Sequence, residues 1–319
     1  MKQIMQEFPK DVHFVYRNFP LIGTPDAPFH DKAALSTQAA EAAGKQGSFW
    51  EMYDLLYARQ SDWTSLSVDE FQQWLIERAG DLGLDEEKFT TDLTSQELVD
   101  FAQKAWDDTR NKIGLSGTPS LFVDGHPWTS GTPMDHYSIS TIIRLELLAY
   151  DQFTECPPMT VDISKQYVAT LHTEKGDIVI ELYADKAPVT VNSFIFLAQN
   201  GWFDGVTFHR VLSGKLAQTG DPSGTGYGTP GYAYKNEISP DLLYDGPGVV
   251  GMANSGADSN GSQFFITESA LPDLNGSYTI FGHVIQGMDV VNSLTPRDPS
   301  QSGELPPGDK ILSVTIEEK

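Results

Sequence analysis

Apolar and polar positions divide the chain into two halves with different rhythms. Over residues 1–150 apolar residues recur mostly at helical spacing. Val12-His-Phe-Val-Tyr16 alternates and predicts one strand. Ala33–Ala43 is alanine-rich and predicts a helix, and Phe49–Tyr57 a second, with Trp50, Tyr53, Leu55 and Leu56 available for its apolar face. Ser67 precedes Glu70 by three residues, the spacing of a capping box, and Phe71, Leu75 and Ile76 follow at helical intervals. Ser95–Ile113 predicts a further helix ending near Gly114. Leu121-Phe-Val-Asp-Gly125 predicts a short strand entering a turn, and Ile139–Tyr150 a last helix.

The rhythm changes at Glu155-Cys-Pro-Pro-Met159. Paired prolines cannot sit inside a helix and favour an extended connector. Beyond it come short strands separated by glycine-rich turns. Val168-Ala-Thr-Leu-His172 and Ile178-Val-Ile-Glu-Leu182 flank Glu174–Asp177 and predict a hairpin. Val189–Gln199 predicts a helix. Val206–Val211, Val249–Ala253, Gln263–Thr267, Tyr278–Val284 and Ile311–Glu317 predict more strands. Many short strands with few helices predict a sandwich or a closed barrel. The expected partition is a mostly helical domain at 1–152, a proline-containing linker at 153–166 and an all-β domain at 167–319.

Composition fits two packed domains: 319 residues, 39% hydrophobic and 11% aromatic. The formal net charge is -23, spread over both halves: 12 basic against 25 acidic residues in 1–157, and 9 against 19 in 158–319. No basic stripe is available for nucleic acid or anionic lipid. No apolar run approaches the ~20 residues of a membrane helix, so no membrane insertion is expected. Glu7, Lys10 and Asp11 interrupt any export signal in the visible chain. The single cysteine, Cys156, rules out an internal disulfide or a CxxC pair. The seven histidines show no metal-ligand spacing, and neither metal nor cofactor is expected. Gly224-Thr-Gly-Tyr-Gly-Thr-Pro-Gly231 is glycine-rich but lacks the flanking strand and helix of a nucleotide loop, so it reads as a flexible rim loop.

Five stretches carry a resemblance: Glu181-Leu-Tyr-Ala-Asp-Lys-Ala-Pro188, Phe208-His-Arg-Val211, Gln218-Thr-Gly-Asp221, Met252–Ile266 with its Asn254 and Gln263-Phe-Phe, and Phe281-Gly followed by Gly287-Met-Asp289. In this order and spacing, residues 167–319 resemble the cyclophilin-type peptidyl-prolyl cis/trans isomerases. The resemblance implies an eight-stranded antiparallel barrel capped by two helices, Val189–Gln199 and the segment after Met288. It implies Arg210 as the catalytic cation, with Gln218 orienting it and bonding the substrate backbone. Asn254, with the backbone of Ala253, would hold the peptide as an added strand. Phe265, Leu216, Leu274 and Tyr278 would form the proline seat. Gln263 belongs with the substrate contacts or only closes a backbone hydrogen bond. Phe264 reads as core and His209 as structural. Lys215 stands where active relatives usually have phenylalanine, and Asp273 where cyclosporin-sensitive members carry tryptophan, so cyclosporin binding should be weak. The implied partners are unfolded or proline-containing polypeptides, and the implied role is folding assistance. The departures leave open a proline-peptide-binding chaperone module with little turnover.

An X–Pro amide rotates against ~18–20 kcal/mol because its nitrogen lone pair is delocalised, and uncatalysed exchange takes tens of seconds or more. A catalyst needs no nucleophile here. It must bind the twisted amide better than either planar form. A fixed guanidinium near the nitrogen, beside a water-poor apolar seat, meets that need.

Residues 10–150 resemble the thioredoxin-like fold of the DsbA type, with its helical insertion. The carrying residues are Phe14-Val-Tyr-Arg-Asn-Phe-Pro-Leu21, Ala39–Gly47 running into Phe49-Trp-Glu-Met-Tyr53, and Gly117-Thr-Pro-Ser-Leu-Phe-Val-Asp-Gly125. The resemblance implies a cis bond at Thr118-Pro119 and an extracytoplasmic home. The family's first strand and CxxC would lie before Met1. The half is therefore expected to be redox-inert as given. It is either a truncated form of a bifunctional disulfide oxidoreductase and prolyl isomerase, or a degenerate scaffold that binds unfolded chains.

Overall fold

Side-chain caps open three successive helices between residues 67 and 107. In the computed structural model, which describes residues 1–24, 27–129, 131–301 and 305–319, Ser67 closes a full capping box. Its hydroxyl accepts from the Glu70 backbone N–H, and Glu70 Oε2 accepts from the Ser67 backbone N–H at 2.8 Å. Asp85 and Ser95 cap the next two helices without the reciprocal bond, their side chains accepting from the Lys88 and Leu98 N–H groups.

The chain forms two compact units, Met1–Gly131 and Thr132–Lys319. The first contains α1 (Lys2–Glu7), α2 (Ala33–Gly44), α3 (Phe49–Ala58), α4 (Gln60–Trp63), α5 (Val68–Asp81), α6 (Glu86–Leu93) and α7 (Gln96–Asp107). Its core is built where those helices turn apolar faces together: Ala39, Ala42 and Ala43 of α2 against Met52, Phe71, Leu75, Phe89, Leu93 and Leu98. Alanines on α2 let its neighbours approach closely. The helix predicted over Ser95–Ile113 is two pieces. After α7 the turn widens to a π-helical stretch at Asp108–Ile113, which ends on Gly114 at φ 81°.

Strand content in this unit differs from expectation. Val12–Tyr16 is extended and alternates between exposed and half-buried residues, yet it forms no strand. It finds no neighbouring chain to pair with among the described residues. Its inward residues pack on α3 instead, Phe14 against Trp50 and Tyr16 against Phe49, Trp50 and Tyr53. Two-residue pairs remain: β1 (Gly23–Thr24) with β2 (Ala27–Pro28), and β3 (Phe122–Val123) with β4 (His126–Pro127). Asp124 and Gly125, at φ 46° and 80°, make the tight turn of the second pair. The Thr118-Pro119 bond is cis.

The second unit opens with α8 (His136–Ala149) and continues into an eight-stranded antiparallel sheet. Its strands are β5 (Tyr167–Thr173), β6 (Gly176–Leu182), β7 (Arg210–Leu212), β8 (Leu216–Thr219), β9 (Val249–Met252), β10 (Phe264–Thr267), β11 (Ile280–Gln286) and β12 (Ile311–Glu318). They run in the order β12-β5-β6-β11-β9-β10-β8-β7. The two ends meet: Thr207 bridges Lys310, Ile311 donates its N–H to the Val206 carbonyl, and Phe208 donates to Asp309. The sheet is thereby closed into a barrel, which removes its exposed edges. Six of the strands lie where the apolar pattern predicts them, and the one predicted over Val206–Val211 starts later, at Arg210. β8 alone goes unpredicted, because four residues ending in Gln218-Thr219 carry too little alternation to read.

Two helices accompany the barrel, α9 (Pro188–Gln199) and α10 (Met288–Asn292). Pro188 sits at the first position of α9, and the Glu237 carboxylate accepts from the Val189 and Thr190 N–H groups there. α9 is apolar on nearly all sides because it is covered on both. Phe194 packs into the barrel on Phe203, Phe264 and Phe281. Phe196 meets Phe153, and the Asn192 side chain binds the backbone of Pro158, Thr160 and Val161. The proline-containing stretch is therefore fastened to the barrel rather than free. The unit boundary also falls ahead of it, at 131/132, because α8 and this stretch pack with the barrel.

Candidate functional site

The alternation of β10 separates core from site. Phe264 and Ile266 point into the barrel and join its interior cluster, as expected of Phe264. Phe265 points to the opposite face. There it joins a second cluster with Tyr244, Val249 and Ile280, flanked by Leu216, Ala253, Leu274 and Tyr278. The residues proposed from sequence for a proline seat thus meet on one face. Tyr244 stacks on Phe265 with ring centroids 5.6 Å apart, and Tyr278 meets it edge-on at 5.9 Å.

Sheet register brings the polar residues alongside. Arg210 pairs across β7/β8 with Gln218, Gln218 pairs across β8/β10 with Phe265, and Phe265 pairs across β10/β9 with Gly251. Residues directly opposite in a ladder share a face. Arg210, Gln218 and Phe265 therefore form one transverse row. Gly251 leaves the space that the aromatics occupy: a Cβ there would lie 2.1 Å from the Tyr244 hydroxyl and 2.8 Å from the Phe265 ring. Sequence reasoning missed Tyr244 and Gly251, because neither sits in a motif whose spacing points to the cluster.

Arg210 is half-buried, and its guanidinium donates to Gln218 Oε1 at 3.3 Å. The Gln218 amide donates to Gln263 Oε1 at 3.0 Å, and the Gln263 amide donates to the carbonyls of Gly226 and Gly228, both at 3.0 Å. The chain runs in one direction, each amide receiving at oxygen and donating at nitrogen. Gln263 does close a backbone bond, its carbonyl accepting from Ala253, but its side chain is the middle of this relay.

The relay ends on the glycine-rich loop, which is not loose. The buried Asp221 carboxylate accepts from the N–H groups of Ser223 (2.8 Å), Gly226 (2.7 Å) and Gly228 (3.0 Å), and from the Ser223 hydroxyl (2.6 Å). A rim loop it is, but one tied from beneath. Asp221 stands inside Gln218-Thr-Gly-Asp221, and its role was invisible because the loop it gathers follows it in sequence.

Asn254 leaves β9 and donates to the Ser277 carbonyl at 3.4 Å and to Asn236 at 3.5 Å. Its own Oδ1 accepts from Gly256. Lys215 does not join the aromatic cluster. It is exposed in the β7–β8 turn and lines a cleft with Arg297 and Asp298. Asp273 is exposed in the short turn Pro272–Leu274, just before the seat residue Leu274.

Residues 168–316 match the cyclophilin type peptidyl-prolyl cis-trans isomerase family. Peptidyl-prolyl cis-trans isomerase CYP18-1 of Arabidopsis thaliana is 44% identical over 147 residues, 45% of this chain and 88% of that protein. The chain belongs to the cyclophilin family. Peptidyl-prolyl cis-trans isomerase A of Mycobacterium tuberculosis is 40% identical over 181 residues, 51% of this chain and 98% of that protein. A solved Cryptosporidium parvum cyclophilin type isomerase is 35% identical, covering 48% of this chain and 98% of that one, with a TM-score of 0.44. Residues 2–143 match a thioredoxin family. The chain thus joins a thioredoxin-like domain to a cyclophilin barrel.

Within this cyclophilin domain His209 is buried, at 2% exposure. Burial pushes its imidazole below the ordinary value of 6.5, with Asp221 opposing and Arg297 and Arg210 adding to the shift. The unfolded chain then takes up a proton at higher pH than the folded one. Stability should fall as pH drops below about 6.5 and be insensitive to this group above it. Denaturant midpoints measured between about pH 7.5 and about pH 5.5 should decline toward acid and flatten in His209→Gln. An unchanged slope in that variant would assign the effect elsewhere.

Proposed function

We propose that the cyclophilin domain isomerises peptide bonds preceding proline, with Arg210 as the cation that favours the twisted amide. The observation that carries this is the single row Arg210–Gln218–Phe265, which sets a tethered guanidinium beside an apolar seat. The proline ring would rest on Phe265, among Leu216, Leu274 and Tyr278. Asn254 and the Ala253 backbone would hold the peptide, with Gln263 and Gln218 as polar contacts at its side and Lys215 at the rim. As the amide twists, its nitrogen regains a lone pair, and an Arg210 N–H can bond it only then. That is stabilisation of the transition state over both ground states. The substrates are proline-containing segments of unfolded or loosely held chains, and the role is assistance in folding.

The partition that goes with this reading is a DsbA-like domain at 1–152, a connecting segment at 153–166 and the isomerase at 167–319. With Cys156 as its one cysteine, the chain as given is assigned no dithiol chemistry.

The test is acceleration of cis/trans exchange in a proline tetrapeptide by the full chain. Lys215, exposed rather than aromatic, favours a second reading: a proline-peptide-binding module with little turnover. Binding of the peptide without faster exchange would select that reading. Cyclosporin binding should be weak, since Asp273 presents a charge where an indole would stack. Near-complete inhibition by cyclosporin at concentrations close to that of the protein would contradict it.

A further inference from the structure

Residues 144–167 belong to neither family match, yet part of this span grips the loop on which the Arg210 relay ends. Leu148, at the end of α8, is buried in the barrel's core cluster. Gln152 donates to the Thr229 carbonyl at 3.0 Å and to its hydroxyl at 3.2 Å. The Phe153 N–H donates to the Pro230 carbonyl at 2.9 Å, and its ring lies against Phe196, Trp202 and Tyr232.

The approach is too close for side chains on the loop. A Cβ on Gly228 would lie 2.7 Å from Leu148 Cδ2 and 2.0 Å from Asp221 Oδ1. A Cβ on Gly231, at φ 90°, would lie 2.1 Å from the Phe153 carbonyl oxygen and 2.9 Å from Gln152 Cβ. The loop is therefore held between Asp221 on the inside and residues 148–153 on the outside. Gly226 and Gly228, within it, are the two carbonyls that receive the Gln263 amide.

We propose that residues 148–153 form a positioning strap for the isomerase site, acting on Arg210 through the loop, Gln263 and Gln218. This rests on the reading of Arg210 as the catalytic cation. Released from the strap, the loop can drift, and the Gln263 amide loses its fixed acceptors. Gln218 then no longer presents its oxygen to one guanidinium orientation. The apolar seat around Phe265 is not touched by the strap. Loss should therefore appear mainly in kcat, with a smaller change in KM through the polar side contacts of Gln218 and Gln263.

The experiment is steady-state isomerisation of a proline tetrapeptide by full-length variants. Leu148→Ala and Gln152→Ala should each lower kcat about three- to tenfold, a displacement-scale effect, with KM changed by less than kcat. Leu148→Met should restore the rate. In a Gln263→Ala background, Leu148→Ala should cost nothing further, because both act through one relay. An unchanged kcat in both single variants, or an equal loss with and without Gln263, would overturn the proposal. Should Leu148→Ala fail to fold, Gln152→Ala, which removes only bonds to Thr229, decides alone. Arg210→Ala in the same series keeps the two ideas apart: full activity there would sink the catalytic assignment, while the strap's effect on kcat would still be read from its own variants.

Discussion

Arg210→Ala should lower kcat/KM for a proline peptide by about ten- to a hundredfold while leaving peptide binding nearly intact. The size follows from one charge-assisted hydrogen bond made only in the transition state, ~1.5–3 kcal/mol, at ~1.4 kcal/mol per decade. The direction follows from geometry. The guanidinium belongs to the polar end of the row, tethered to Gln218, and the seat that grips proline is the separate aromatic cluster. Arg210→Lys should recover little. An ammonium cannot offer one N–H to Gln218 and a second, fixed in the same plane, to the amide nitrogen. Isothermal titration with the peptide, alongside the rate, separates the two contributions. A variant that lost binding and rate equally would move Arg210 from the chemistry to the grip.

Phe265→Ala should produce the largest combined effect, on stability and on KM together. The ring is 4% exposed and is enclosed by Tyr244 and Tyr278. Removing a buried phenyl costs about 3–5 kcal/mol where the surroundings cannot collapse. Tyr244 stands on a glycine, Gly251, and is fully buried, so it has little freedom to fill the gap. The peptide also loses the floor under its proline, which raises KM. Phe264→Ala makes the comparison sharp. It removes the same volume from the barrel interior, one residue away, and should destabilise without a direct change in KM. Equal KM shifts from the two variants would mean that the faces of β10 are not divided between core and site as described.

Much of the barrel was readable because its signal is local. The β5–β6 hairpin and β9 to β12 follow from alternation and turn residues, and α9 from a continuous apolar run behind Pro188, whereas the site role of Phe265 came with the family resemblance. What escaped was whatever depends on partners distant in sequence. β8 was missed because it is four residues long and ends polar. The Asp221 hub and Tyr244 were missed because their neighbours are brought to them by the fold. The stretch around Pro157-Pro158 reads as an extended connector, since prolines forbid helix, and its attachment to Asn192 and Phe196 of α9 is not legible from sequence. Val12–Tyr16 failed in the opposite sense: alternation announced a strand, but a strand needs a neighbour, and the aromatic side chains of α3 took its place. Among the site residues, the motif placed Arg210, Gln218 and Phe265 in one group, and sheet register explains why such separated positions share a face. Lys215 was grouped with them because it stands where relatives usually carry phenylalanine, and it stands apart because the hairpin turn carries it to solvent.

The account stands on Arg210 acting on the rotating amide itself. The direct measurement is the cis/trans exchange rate of a proline peptide while bound to the full chain, by NMR exchange spectroscopy under saturating protein, in the native sequence and in Arg210→Ala. The account predicts fast exchange on the native protein and exchange slower by about one to two decades on the variant, with the peptide still bound. Equal on-protein exchange rates in the two would contradict it.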